Sequence, residues 1–140
     1  MIKEDYVSYE VAKLLKEKGF DEPCRSAYIW NTEEYELCAM FSKPLHFNRE
    51  GSLEDYEDDS VPRISAPTHQ MAMKWLRKMH NLFIEPYVIK NYSKKKLEYT
   101  YSIQDLDFQG SDDGIECCKN WDTPKQACEA ALKYSLENLI

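Results

Sequence analysis

The stretch FIEPYVIKNYSKKKLEYTYSI, Phe83 to Ile103, carries the reading of the fold. Phe83 to Lys90 is apolar-rich, and Leu97 to Ile103 alternates, so that Leu97, Tyr99, Tyr101 and Ile103 face one way. Asn91-Tyr-Ser-Lys94 between them is a turn, which makes the whole a β-hairpin. Pro86 has no N–H to give to a ladder, so the first strand is limited to an edge position or a bulge. A hairpin with one apolar face must bury that face under something, and the flanking sequence supplies helices.

Three helices are predicted. The first covers Ser8 to Lys18, with Val7, Val11, Leu14 and Leu15 on one face, Ser8 as N-cap and Gly19 just past the end. The second covers Pro67 to His80, striped by Ala72, Trp75, Leu76 and Met79 with Met71 beside them, and Thr68 or Ser65 as cap. The third covers Pro124 to Leu139, opened by the capping box Thr123-Pro-Lys-Gln126 and buried through Cys128, Ala131, Leu132, Ser135, Leu136 and Leu139.

Two further strands fall at Ser26 to Trp30 and at Glu34 to Phe41, the second alternating through Tyr35, Leu37, Ala39 and Phe41. Residues 43–66 hold three prolines or glycines and an acidic run, and read as a long loop, functional or mobile. The element order is αββ-αββ-α. The fold class expected is α+β, antiparallel hairpins covered by three helices. Lys13-Leu-Leu-Lys16 matches Lys74-Trp-Leu-Arg77, and Tyr28 matches Tyr87, at an offset of about 60 residues. Either an internal duplication or chance produces such a match.

Length and composition set the outer bounds. At 140 residues the chain is expected to be a single domain spanning residues 1–140, long enough to bury a core without staples. Ten Tyr, three Trp and five Phe exclude a wholly disordered chain. No apolar run approaches the ~20 residues that span a bilayer, and no secretory signal is read at the N-terminus. Five cysteines, two of them adjacent at Cys117 and Cys118, read as reduced thiols, so a cytoplasmic location and no membrane partner are expected. The net charge of −7 is uneven: residues 1–62 carry −8 and residues 63–140 carry +1.

Three segments resemble short uncharacterised proteins of Bacteroides-type gut bacteria and their phages or mobile elements. These are Arg63-Ile-Ser-Ala-Pro-Thr-His-Gln-Met-Ala-Met-Lys-Trp-Leu-Arg-Lys-Met-His-Asn-Leu-Phe-Ile84, the opening Tyr6 to Asp21, and the end Ala127 to Ile140. The resemblance implies a stand-alone cytosolic protein. It carries over no activity, cofactor or site residue.

The sharpest chemical pattern is Asp105, Asp107, Gln109, Ser111, Asp113 and Glu116, which fall at positions 1, 3, 5, 7, 9 and 12 of a calcium loop with Gly110 at position 6. Such a loop folds about six or seven oxygens round one hard cation. Against it stand the strand pattern before it and Asp112 at the position a hydrophobe takes. The competing reading is an acidic turn closing a hairpin. A thiol enzyme needs a thiolate beside an imidazole and an orienting group, and His46, His69 and His80 are scattered from the cysteines. Paired zinc ligands at short spacing are absent too.

The acidic run Glu54, Asp55, Glu57, Asp58 and Asp59 could imitate a nucleic-acid backbone or could simply be solvated. The basic cluster Lys94-Lys-Lys96 beside Tyr92 and Tyr99 reads more simply as a hairpin tip than as a phosphate contact, so a nucleic-acid partner is not expected. Trp30 and Trp121 each precede polar residues and could anchor a partner surface or cap the core edge.

With no catalytic set, no cofactor and no metal required, the expected function is a non-enzymatic binding or accessory protein acting through a protein–protein surface or self-association. The alternatives are an acidic nucleic-acid mimic that inhibits a nucleic-acid enzyme, and a small Cys or carboxylate enzyme.

Overall fold

The computed structural model describes residues 2–39, 41–49, 61–105, 115–116 and 119–140. It is an α+β protein whose sheets are wholly antiparallel. The chain falls into two compact units, Met1–Thr68 and His69–Ile140.

The first unit begins with α1, Tyr9–Glu17. Ser8 caps it by accepting from the Val11 amide at 3.2 Å, which satisfies one of the donors a helix start leaves open. At the other end Gly19 has φ +92°, the left-handed conformation that only glycine adopts without strain. That turn lets the Phe20 amide reach the Leu15 carbonyl at 2.9 Å and the Gly19 amide reach Lys16 at 3.1 Å, a Schellman end that drops Phe20 into the core. Val7, Val11, Ala12 and Leu15 are buried, as their spacing requires.

Three strands follow: β1 (Ala27–Trp30), β2 (Tyr35–Cys38) and β3 (Arg63–Ser65), in the order β2-β1-β3. The β1–β2 hairpin turns on Asn31, whose side-chain oxygen accepts from the amides of Glu33 and Glu34 at 3.1 and 2.9 Å. β2 is shorter than its alternation suggests. As an edge strand it leaves Leu37 exposed rather than in the core.

β3 corrects the long-loop reading of 43–66, because its residues are strand and pair with β1. The start of that stretch is tied down as well. Leu45 exchanges both backbone bonds with Cys24 at 2.9 Å, Phe47 is buried, and Asn48 donates to the Phe20 carbonyl and accepts from the Ser65 amide. Three-residue strands and side-chain clamps leave no periodic signal, which is why the sequence reads as loop there.

The second unit begins with α2, His69–His80. Ala72, Trp75 and Leu76 are buried as expected. Met79 is not: it is 63% exposed, and His69 takes the buried place one turn before Ala72. The hairpin is longer than its alternating core, with β4 (Leu82–Asn91) paired to β5 (Lys96–Asp105) over ten residues. Pro86 sits in the edge strand β4 opposite Tyr101; Tyr99 bonds to Trp121 on the far side of β5, so Tyr101 and Pro86 form a non-bonded pair and the missing N–H costs no ladder bond.

Both faces of β5 are covered along much of its length. Tyr101 and Ile103 are buried on one side, Glu98, Thr100 and Ser102 on the other, while Leu97 near the tip is exposed, contrary to the alternation. β6 (Ile115–Glu116) pairs with Ser102 and Ile103. The helix α3, Pro124–Asn138, is capped by the expected box, both bonds of which are 3.2 Å. It buries Ala127, Cys128, Ala131, Leu132, Ser135 and Leu136. Leu139 is its C-cap and only half-buried.

Both units therefore run helix, strand, strand, with a further short strand. Their strand orders differ. The strand after the helix is central in the first unit and at an edge in the second, so Tyr28 lies mid-sheet and Tyr87 at an edge.

Candidate binding surfaces

Trp30 ends β1, paired across the hairpin with Tyr35. Their rings lie 5.2 Å apart at 60°. Tyr35 stacks in turn on Tyr9 of α1, at 4.6 Å and 19°, and Tyr9 meets Tyr28 edge-on at 5.7 Å. These are preferred aromatic geometries, each giving about 0.5–1.5 kcal/mol beyond area burial. The Tyr28 hydroxyl donates to the Val7 carbonyl at 2.7 Å and fixes the inner end of the row.

At the outer end Trp30 remains 38% exposed. Asn31, Glu33, Glu34 and Glu36 surround the hairpin tip and are all exposed. Of these four rings, the sequence pointed to Trp30 alone. Tyr35 could have been found as its partner from a four-residue hairpin loop, and Tyr9 from its place at the start of the helix that covers the strands.

Trp121 belongs to the second unit and is held differently. Its backbone exchanges both bonds with Tyr99, at 2.8 and 2.7 Å, and its indole stacks on Tyr101 at 5.7 Å and 22°. It extends the sheet edge beyond β6 and is half-buried.

Beside it lies a polar network centred on Glu98. The Glu98 carboxylate accepts from Asn91 and from Asn120, each at 2.9 Å, with Lys94 at 3.6 Å and Lys96 at 3.9 Å. The two amide donors chiefly, and the two lysines after them, hold its carboxyl below the usual range against the opposing effect of burial. Lys96 also reaches Asp122 at 2.7 Å, which lowers Asp122 and raises Lys96. The cluster ties the hairpin tip to the segment before α3. Its lysines already have carboxylate partners.

A third surface was not read from the sequence. Gln70, Met73, Lys74 and Arg77 follow one another on α2 at helical spacing and line a groove of about 310 Å³ with Phe83 and Ile84 of β4. The Arg77 guanidinium lies 5.8 Å from the centre of the Phe83 ring. The stripe at i, i+3, i+4 and i+7 was the available signal. It passed unnoticed because it mixes polar and apolar residues.

The remaining candidates are less assembled. Asp105 ends β5 and Glu116 lies in β6 opposite Ser102, so the two ends of the expected calcium loop stand on paired strands. Asp107, Gln109, Ser111 and Asp113 lie outside the described residues, as do Glu54, Asp55, Glu57, Asp58 and Asp59. Among the described residues no three His, Cys, Asp or Glu come together as a metal site would need.

Of the thiols, Cys24 is pushed up to about 12, chiefly by burial, and is therefore protonated at neutral pH. Cys128 is buried and Cys38 exposed. His69 Nε2 lies 2.9 Å from Glu129 Oε1 and joins the start of α2 to α3.

Compared with protein-family models, curated proteins and solved structures, the chain matches none. No helix among the described residues is long and apolar enough to cross a membrane.

Proposed function

We propose that this chain is a non-enzymatic binding or accessory protein that works through a protein–protein surface, and that the surface is the Trp30 end of the aromatic row. One observation carries the reading. A four-ring row runs from the buried Val7 contact outward to an indole that the fold leaves more than one-third open. Rigid aromatic anchors with a polar rim are the side chains that dominate binding energy at protein interfaces. Here the inner rings hold the outer one in place before any partner arrives, which lowers the ordering cost of binding.

The test is affinity capture from the native host, with the wild-type chain and with Trp30→Ala run side by side. Light scattering on the purified protein would detect self-association through the same face. The reading expects a specific protein, or a second copy of the chain, to be retained by the wild type and lost from Trp30→Ala while the variant's circular dichroism is unchanged. Equal retention by both chains would overturn it.

A further inference from the structure

We infer that the groove between α2 and β4, in the second unit, docks an acidic, apolar peptide segment of a partner protein.

The groove has two chemically different walls. The α2 wall presents Lys74 and Arg77, three residues apart and therefore about 5–6 Å between their Cβ atoms. The β4 wall presents the exposed ring of Phe83, with the buried Ile84 closing the end of the groove behind it. Met73 lies between them. Neither Lys74 nor Arg77 is paired with a carboxylate among the described residues, in contrast to Lys94 and Lys96 at the hairpin tip. Arg77 is held against Phe83 by its stacking contact, so part of its side-chain freedom is already lost.

Two cations without a carboxylate partner among the described residues, beside an apolar ring, are complementary to a segment in which acids alternate with apolar residues. Successive side chains of an extended segment point to opposite sides, with i and i+2 about 6.6 Å apart. One side would place two carboxylates against Lys74 and Arg77, and the other would place leucine- or phenylalanine-like groups against Phe83.

Two features favour a peptide over a small anion or an added strand. Gln70, Lys74, Arg77 and Phe83 are all exposed, so a small molecule there would not reach the 70–90% burial typical of ligand pockets, whereas a peptide continues along the same face of β4 onto the exposed Tyr87. Pro86 interrupts the N–H row of the β4 edge. Recognition therefore falls to side chains rather than to backbone pairing.

The test is an NMR titration of the intact, ¹⁵N-labelled protein with the peptide Glu-Leu-Glu-Phe-Glu-Leu-Glu-Phe. Its counterpart with lysine in place of glutamate, and 3-phenylpropionate, serve as separate arms. The expected result is saturable shifts confined to Gln70–Arg77 and Leu82–Ile84. Affinity should fall about tenfold or more in the double variant Lys74→Glu/Arg77→Glu, stay unchanged in the charge control Lys125→Glu on α3, and weaken as salt rises. Each of four results overturns the proposal: no saturable shift at millimolar peptide, shifts centred elsewhere, equal binding of the lysine peptide, or 3-phenylpropionate binding as tightly as the peptide. A double variant that binds normally while keeping its helical circular dichroism overturns it as well.

Discussion

The indole of Trp30 and the ring of Tyr35 face one another across the β1–β2 register, 5.2 Å apart, with Tyr35 backed by Tyr9 at 4.6 Å. The hairpin thus fixes an aromatic side chain at its tip without burying it. A cross-strand pair of this kind contributes about 0.2–1 kcal/mol to a sheet, far less than a core side chain does.

Stability and binding should accordingly separate at these residues. In urea unfolding, Trp30→Ala should lower stability by about 1–2 kcal/mol, the ring contact with Tyr35 and the part of the indole that is covered. Leu132→Ala, at a fully buried position on α3, should lower it by about 2–5 kcal/mol through the cavity it leaves. Equal losses at the two positions would mean that Trp30 is a core residue.

Thiol chemistry should follow burial. Iodoacetamide at neutral pH, read by peptide mass mapping, should label Cys38 and spare Cys24 and Cys128 in the native protein. Labelling of Cys24 at the rate of Cys38 would contradict the buried, protonated thiol. All five cysteines should label once the chain is unfolded in denaturant.

The Glu98 network predicts a pH dependence. Its carboxyl is held below the ordinary value of 4.5, by Asn120 and Asn91 first. A group whose folded pKa is depressed stabilises the fold fully above its unfolded value and loses that contribution as pH falls through the folded one. Glu98→Gln should therefore lower the melting temperature above pH 4.5, and the gap to the wild type should close as pH falls below it. Asp122, lowered by Lys96, adds in the same direction. A gap that widens on acidification would contradict the arrangement.

The capping box of α3 gives a local check. Thr123→Ala removes the acceptor of the Gln126 amide and should cost about 1 kcal/mol, whereas Thr123→Ser should cost much less. Thermal unfolding followed by circular dichroism measures both.

Much of this architecture is legible in the amino-acid sequence, and the reasons are local. Ser8, Gly19 and Thr123 punctuate helices through their own backbone chemistry, and Leu97 to Ile103 alternates because a strand has a period of two. Pro86 placed its strand at an edge for want of one hydrogen. What was missed depends on partners distant in sequence. Arg63–Ser65 is a strand because β1 lies beside it. Met79 and Leu97 follow the apolar pattern, yet they sit near the ends of their elements and stay more than half exposed. His69 is buried because Glu129, sixty residues on, answers it.

The sites divide in the same way. Trp30 was visible as an aromatic before polar residues, but the row behind it needs α1 folded onto the strands. Trp121 was visible too, and backbone pairing with Tyr99 anchors it in the sheet. The α2–β4 groove combines a helix stripe with strand residues that follow it round a tight turn at Asn81, φ +54°, and no single period describes both.

The most direct measurement is the affinity of the captured partner for the intact chain by isothermal titration calorimetry, wild type against Trp30→Ala. If the chain pairs with itself, the dimer dissociation constant by analytical ultracentrifugation takes its place. A binding face anchored by Trp30 predicts a loss of about 30-fold or more, the ~2 kcal/mol of an interface hot spot. A change of less than about threefold in a variant that remains folded would contradict it.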